Sequence, residues 1–185
     1  MLCVGNLVAG GAGKTPLVLD LVRRILRRGH AVHILTRGYG GTLAGPVKVD
    51  LARHGVPQVG DEARLLALRA ATWVGRDRMK TARAACADGA RVLVMDDGFQ
   101  NPSLAKDFSF LAVDGAVGFG NGRVIPAGPL REPLAQGLAR AYAVVMFGAD
   151  EKNAALRIQS LRPELAVLRA RNAPGPEAAR LKGRP

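Results

Sequence analysis

The chain has 185 residues, with 27 Lys and Arg against 15 Asp and Glu, a formal net charge of +12. Hydrophobic residues at 48% and charged residues at 23% exclude a disordered chain, and 23 Gly and 11 Pro without a repeat exclude a collagen-like or low-complexity one. Two cysteines and three histidines without paired spacing exclude a disulfide framework and a zinc motif.

No apolar run reaches the ~18 residues of a membrane span. Met1 opens directly into an apolar run, so no signal peptide is expected, and a reduced, cytoplasm-facing setting fits. The excess of positive charge points to anionic partners: nucleotide phosphates, nucleic acid or an acidic membrane face.

In chain order, residues 1–5 read as a strand and 16–28 as a helix. Pro16 lies in its first turn, Leu17, Leu21, Val22 and Ile25 share one face, and Gly29 is the stop. Residues 31–35 form the next strand and 47–49 a short one. A helix is expected over 61–71, an extended segment over 72–74 and a helix over 79–88. Strands follow at 91–95, 108–113, 143–147 and 166–170. Strands that are apolar throughout, separated by helices, predict a three-layer α/β/α fold with a mostly parallel sheet. Residues 1–171 read as one domain and 172–185, rich in Pro, Ala and Arg, as a linker.

Between the first strand and the first helix runs Gly5-Asn6-Leu7-Val8-Ala9-Gly10-Gly11-Ala12-Gly13-Lys14-Thr15-Pro16. A phosphate loop needs small residues whose backbone N–H groups close around phosphate oxygens. It also needs a Lys for the β/γ-phosphates and a hydroxyl for Mg²⁺ at a helix entrance. Residues Val8, Ala9, Gly10, Gly11, Ala12, Gly13, Lys14 and Thr15 fit that plan, with Val8 where the strict pattern has Gly. A plain glycine turn is the alternative; a dinucleotide fingerprint lacks its third Gly and leaves Lys14 without a role.

The strand at 91–95 ends in Asp96-Asp97-Gly98-Phe99-Gln100. Carboxylates at the end of a buried parallel strand suit Mg²⁺ beside a phosphate loop, although an Asp there also serves as a turn former or cap. Four further segments carry unusual side chains. They are Thr36-Arg37-Gly38-Tyr39-Gly40-Gly41, Val59-Gly60-Asp61-Glu62, Gly75-Arg76-Asp77-Arg78, and the run from Gly120-Asn121-Gly122-Arg123 to Pro126-Ala127-Gly128-Pro129-Leu130-Arg131-Glu132-Pro133.

Taken in order, these segments resemble the tetraacyldisaccharide 4′-kinases (lipid A 4′-kinases), over about residues 2–170. The phosphate loop alone is a weak match; its combination with Asp-Asp-Gly-Phe-Gln and the Gly-Asn-Gly-Arg…Pro-Leu-Arg-Glu-Pro run is specific. The resemblance implies phosphorylation of the 4′-hydroxyl of an acylated disaccharide 1-phosphate by ATP and Mg²⁺. Lys14 would hold the β/γ-phosphates and Thr15 the metal, Asp61 would be the base, and Asp96, Asp97 and Glu132 would serve metal and active-site charge. Gln100, Arg131, Arg37 and Arg78 would face phosphate or substrate.

The implied partners are the lipid substrate and an anionic membrane surface, at the cytoplasmic face of the bacterial inner membrane; nucleic acid is not expected. Asn101 stands where the family usually has His, keeping hydrogen bonds but losing a titratable ring. The family's usual N-terminal membrane segment and smaller C-terminal lobe have no counterpart in the 185 residues, so the chain reads as the core lobe, with Mg·ATP binding but very poor transfer expected of it.

Blander readings stand beside these. Asp61 can cap a helix, Arg131 and Glu132 can form a surface pair, and Arg37, Tyr39, Arg76 and Arg78 can be solvated loop residues. A regulatory or metallochaperone-type NTPase would share the loop and sheet but leave the Pro-Leu-Arg-Glu-Pro run without a role. A non-catalytic nucleotide-binding module is the other alternative.

Overall fold

The computed structural model describes residues 1–173, so positions 174–185 of the expected linker lie outside the described residues. The elements are β1 (Leu2–Gly5), α1 (Lys14–Arg27), β2 (Val32–Thr36), β3 (Val47–Lys48), α2 (Val56–Val59), α3 (Asp61–Ala67) and β4 (Ala71–Val74). They continue with α4 (Arg78–Ala87), β5 (Val92–Asp96), β6 (Phe108–Asp114), α5 (Leu134–Ala139), β7 (Ala143–Phe147), α6 (Ala154–Leu161) and β8 (Ala166–Ala170).

One sheet takes the order β3-β4-β2-β5-β1-β6-β7-β8. Every pairing is parallel except β3 with β4 at the edge. The predicted α/β class and parallel sheet are therefore present.

Period-2 alternation along buried strands sends neighbouring side chains to opposite faces. Cys3, Leu35, Met95, Leu111, Val144 and Met146 pack on one face with Ala82 and Ala85 of α4, Leu134 and Leu138 of α5 and Ile158 of α6. Val4, Ile34, Val94, Ala112 and Val145 point the other way, to Leu17, Val18 and Val22 of α1 and Leu66 of α3. Each fully buried Leu, Ile or Met contributes about 1.5–3 kcal/mol relative to exposure, and Ile34, Leu35, Leu66, Met95, Leu111 and Leu138 are all in that class.

The expected helix over 61–71 stops at Ala67. Residues 71–74 are claimed by β4, whose pairing with β2 in the register His33↔Ala71 to Thr36↔Val74 buries Thr72 and Val74. Three short helices, α2, α5 and α6, go beyond the sequence expectation. The start of α6 is hidden because Asn153 sits in the left-handed region at φ 52° and makes no side-chain cap of its own. The capping carboxylate lies further upstream: Asp150 accepts from the N–H groups of Ala154 at 2.7 Å and Ala155 at 3.0 Å.

The site follows from this topology. After β1 the chain moves to β2 on one side, and later to β6 on the other, so β1 stands at the reversal of strand order, where parallel sheets open a crevice beyond their carboxyl ends. The loops after β1, β2, β4 and β5 all emerge at that edge.

Candidate active site

The loop from Asn6 to Gly13 is braced from within and from outside. Asn6 is fully buried, and its Nδ2 donates to the carbonyls of Val8 at 2.6 Å and Gly10 at 3.1 Å. From outside, the Pro-Leu-Arg-Glu-Pro run lies antiparallel to the loop: the Ala9 N–H donates to the Pro129 carbonyl at 2.8 Å, and the Arg131 N–H to the Leu7 carbonyl at 2.8 Å. Gly13 ends the loop at φ 82°, and a Cβ there would lie 2.6 Å from Cδ2 of Phe147. At Gly10 and Gly11 a Cβ would meet nothing within 4 Å, so the loop is open on the side a phosphate would approach.

Lys14 begins α1. Its Nζ lies 3.5 Å from the Gly10 carbonyl and 3.8 Å from Oδ1 of Asp97. Arg131 Nη1 reaches the same Oδ1 at 3.1 Å. Asp97 turns back toward both cations because its backbone is left-handed (φ 48°), a conformation that Asp tolerates better than most residues. Close packing joins the two loops: a Cβ at Gly5 would lie 2.4 Å from Cβ of Phe99. Gln100 Nε2 donates at 3.0 Å to the Asn6 carbonyl and at 3.0 Å to Oε1 of Glu132.

Asp96 ends β5 and is 2% exposed. Burial pushes its carboxyl up to about 7; Glu62 and Asp97 add to the rise, while Lys14 and Arg78 oppose it. Glu62 lies in the first turn of α3. Asp96 Oδ1 and Asn6 Oδ1 are buried acceptors without a donor. An all-oxygen set of Thr15, Asp96 and Asp97 is the kind Mg²⁺ takes when phosphates and water complete its shell, and the orphaned Asp96 Oδ1 fits that ion. No group of three or more His, Cys, Asp or Glu gathers around one metal position among the described residues, so a protein-only cage is not what these residues build.

Two of the expected site residues are engaged by other side chains or by backbone in the folded chain. Glu132 does not stand free among metal ligands: Arg140 Nη2 grips its two oxygens at 2.9 and 2.7 Å while Gln100 occupies Oε1. Arg78 is neither a solvated loop residue nor an open substrate contact. It opens α4 beneath the end of β5, is 5% exposed, and donates from Nη2 to the Asp96 carbonyl at 3.4 Å. Burial holds its guanidinium below the ordinary value, with Asp96 and Asp97 opposing that.

Asp61 is the first residue of α3, and the capping position belongs to Gly60 (φ 87°), where a Cβ would lie 2.3 Å from the Tyr39 carbonyl. Its Oδ1 accepts the Glu62 N–H at 2.8 Å, and the side chain is exposed. Arg37 is exposed at the end of β2. Asn101 forms a local turn, its Oδ1 accepting from the Ser103 N–H at 2.9 Å and hydroxyl at 2.6 Å. Sequence reasoning misses Asn6, Phe99, Glu62 and Arg140 as site residues; Asn6, Phe99 and Glu62 lie inside segments that it singles out, whereas nothing local marks Arg140.

The family model for LpxK, tetraacyldisaccharide-1-P 4′-kinase, matches residues 1–184. The chain belongs to that family. It is 60% identical over 185 residues to the tetraacyldisaccharide 4′-kinase of Rhodospirillum centenum, covering all of this chain and 54% of that protein. The Rhodospirillum rubrum tetraacyldisaccharide 4′-kinase is 56% identical, again over all of this chain and 56% of its own length. The chain thus spans about half the length of the curated relatives it matches. Among solved structures, LpxK from Aquifex aeolicus in complex with ATP superposes with a TM-score of 0.71 at 29% identity, over 91% of this chain and 52% of that one. No helix among the described residues is long and apolar enough to cross a membrane.

Proposed function

We propose that this chain forms the nucleotide-binding and catalytic face of a kinase that transfers the γ-phosphoryl group of ATP to the 4′-hydroxyl of tetraacyldisaccharide 1-phosphate, at an anionic cytoplasmic membrane surface. The reading is carried by one observation: Lys14, at the start of α1, and Arg131, from the loop before α5, converge on one carboxylate oxygen beside an open glycine loop. Two cations already directed at an anionic oxygen need only a small shift to meet phosphate oxygens. Phosphoryl transfer asks chiefly for such positioning and charge neutralisation.

In this reading the N–H groups of residues 10–15 and the entrance of α1 receive the triphosphate. Lys14 offsets charge on the β/γ-phosphates, and Arg131 offsets charge on the group in transit. Thr15, Asp96 and Asp97 would hold Mg²⁺, which would neutralise phosphate oxygens. Asp61 keeps one oxygen on the Glu62 N–H and offers the carboxylate to the sugar hydroxyl. A bond forms from the 4′-oxygen to the γ-phosphorus as the bond to ADP breaks, and the hydroxyl proton goes to Asp61. Arg37 meets a substrate anion from the end of β2, while Arg78 supports Asp96 from below.

The test is transfer of radiolabelled γ-phosphate to the acylated disaccharide. It is run with this chain and with the chain grafted in place of the matching half of the Rhodospirillum centenum relative. Asp61→Asn should slow transfer by about 10²–10⁴-fold with Mg·ATP affinity little changed. Asn still suits a helix start, so an unchanged rate in the graft would leave Asp61 a structural residue.

A further inference from the structure

Arg140 follows α5 and belongs to none of the motifs that drew attention to this site. Its guanidinium donates to both oxygens of Glu132 and lies 4.9 Å over the ring of Phe99. The Glu132 side chain is only 14% exposed, so its charge needs a cation nearby. Beyond Glu132 the contacts continue without a break. Oε1 accepts from Gln100, the same Gln100 nitrogen donates to the Asn6 carbonyl, and the Asn6 amide holds the carbonyls of Val8 and Gly10. Phe99, under the guanidinium, is itself packed against the end of β1 at Gly5. Arg140 therefore grips the Phe99-Gln100 pair twice, through the ring and through the carboxylate.

One guanidinium nitrogen, Nη2, reaches both carboxylate oxygens, and a charge-assisted contact of this kind holds the carboxylate in place as well as offsetting its charge. We propose that Arg140 is a positioning residue for the nucleotide site. By neutralising and orienting Glu132 it holds Gln100 on the Asn6 carbonyl, and through Asn6 it sets the shape of the phosphate loop. Glu132 then acts as a link in this chain of contacts, with its oxygens turned to Arg140 and Gln100. The inference rests on the reading of residues 10–15 as the phosphate cradle.

The experiment compares Arg140→Gln, which keeps the aliphatic stem near Phe99, Arg140→Lys, Glu132→Gln and the double variant Glu132→Gln/Arg140→Gln. Two quantities are read: backbone amide shifts of Gly10, Gly11 and Gly13 without nucleotide, and the Kd for Mg·ATP. Arg140→Gln should move those glycine amides and weaken Mg·ATP about tenfold, with the double variant no worse than the single one and Arg140→Lys partly restoring both. Unmoved glycine amides in folded Arg140→Gln, or effects of the two substitutions that multiply, would overturn the inference. Failure of the unsubstituted chain to bind Mg·ATP would instead strike the nucleotide reading, and the glycine amides alone would then decide whether Arg140 shapes the loop.

Discussion

The glycines of the loop separate structural need from ligand need. At Gly13 the backbone is left-handed, which costs an alanine about 1–2 kcal/mol, and the added Cβ would lie 2.6 and 2.7 Å from two ring atoms of Phe147. Moving that ring adds about 1–3 kcal/mol for overpacking. Gly13→Ala should therefore lose about 2–5 kcal/mol of stability in urea unfolding. At Gly11 nothing lies within 4 Å of a built Cβ, and φ is outside the left-handed range. Gly11→Ala should leave the urea midpoint unchanged or slightly raised, since alanine restricts the unfolded chain. Its methyl nevertheless enters the space assigned to phosphate, so calorimetric titration should show Mg·ATP affinity falling at least about tenfold, or about 1.4 kcal/mol. A Gly11→Ala protein that is as stable as the parent and binds Mg·ATP equally well would show that phosphate does not approach this part of the loop.

Two other outcomes follow from features away from the loop. His33 is 8% exposed, accepts from Trp73 Nε1 at 3.2 Å, and lies 3.9 Å from Asp88, which Lys48 already neutralises at 2.6 Å. Burial holds the His33 imidazole below its ordinary 6.5, with Asp88 opposing and Lys48 assisting that depression. The unfolded chain thus takes up the proton first, so His33 lowers stability as pH falls below 6.5, and His33→Gln should flatten that acid limb in thermal unfolding followed by Trp73 fluorescence. A limb of the same steepness in the variant would refute this. Arg23, Arg24, Arg27, Arg69, Arg169 and Arg171 line one groove beside α1 and β8. Cations near an anionic bilayer contribute about 1 kcal/mol each, screened by salt. Vesicles rich in anionic lipid should bind the chain at low salt and release it by ~0.5 M salt, where the Debye length is well below about 10 Å. Sedimentation with vesicles that persists at that salt would contradict a purely electrostatic attraction.

The parts of this molecule that are local in sequence are legible in it. Lys14 opening a helix after a glycine run, Asp96 closing an apolar strand, and the parallel order implied by alternating strands and helices all follow from short-range chemistry. What escapes are pairings across long separations. Nothing near Val8 announces that Leu130 will lie beside it, and nothing near Arg140 announces Glu132 and Phe99. Arg78 reads in the sequence as a substrate contact or a solvated loop residue; in the fold Asp77 caps α4 through the Lys80 N–H at 3.0 Å, and Arg78, the first residue of that helix, is buried. For Glu132, a carboxylate near a phosphate loop suggests a metal, and nothing nearby in sequence announces that Arg140 will reach both its oxygens. Asp61 is ambiguous between cap and base in the sequence, and the fold gives the capping position to Gly60.

The central claim is that residues 10–15 cradle the phosphates of Mg·ATP with Lys14 at the helix entrance. Calorimetric titration of Mg·ATP into the chain and into Lys14→Ala tests it most directly. The account predicts one equivalent bound by the chain, and affinity lowered at least about tenfold in a Lys14→Ala protein that retains its unfolding midpoint. Equal affinity in the two proteins, or no binding by either, would contradict it.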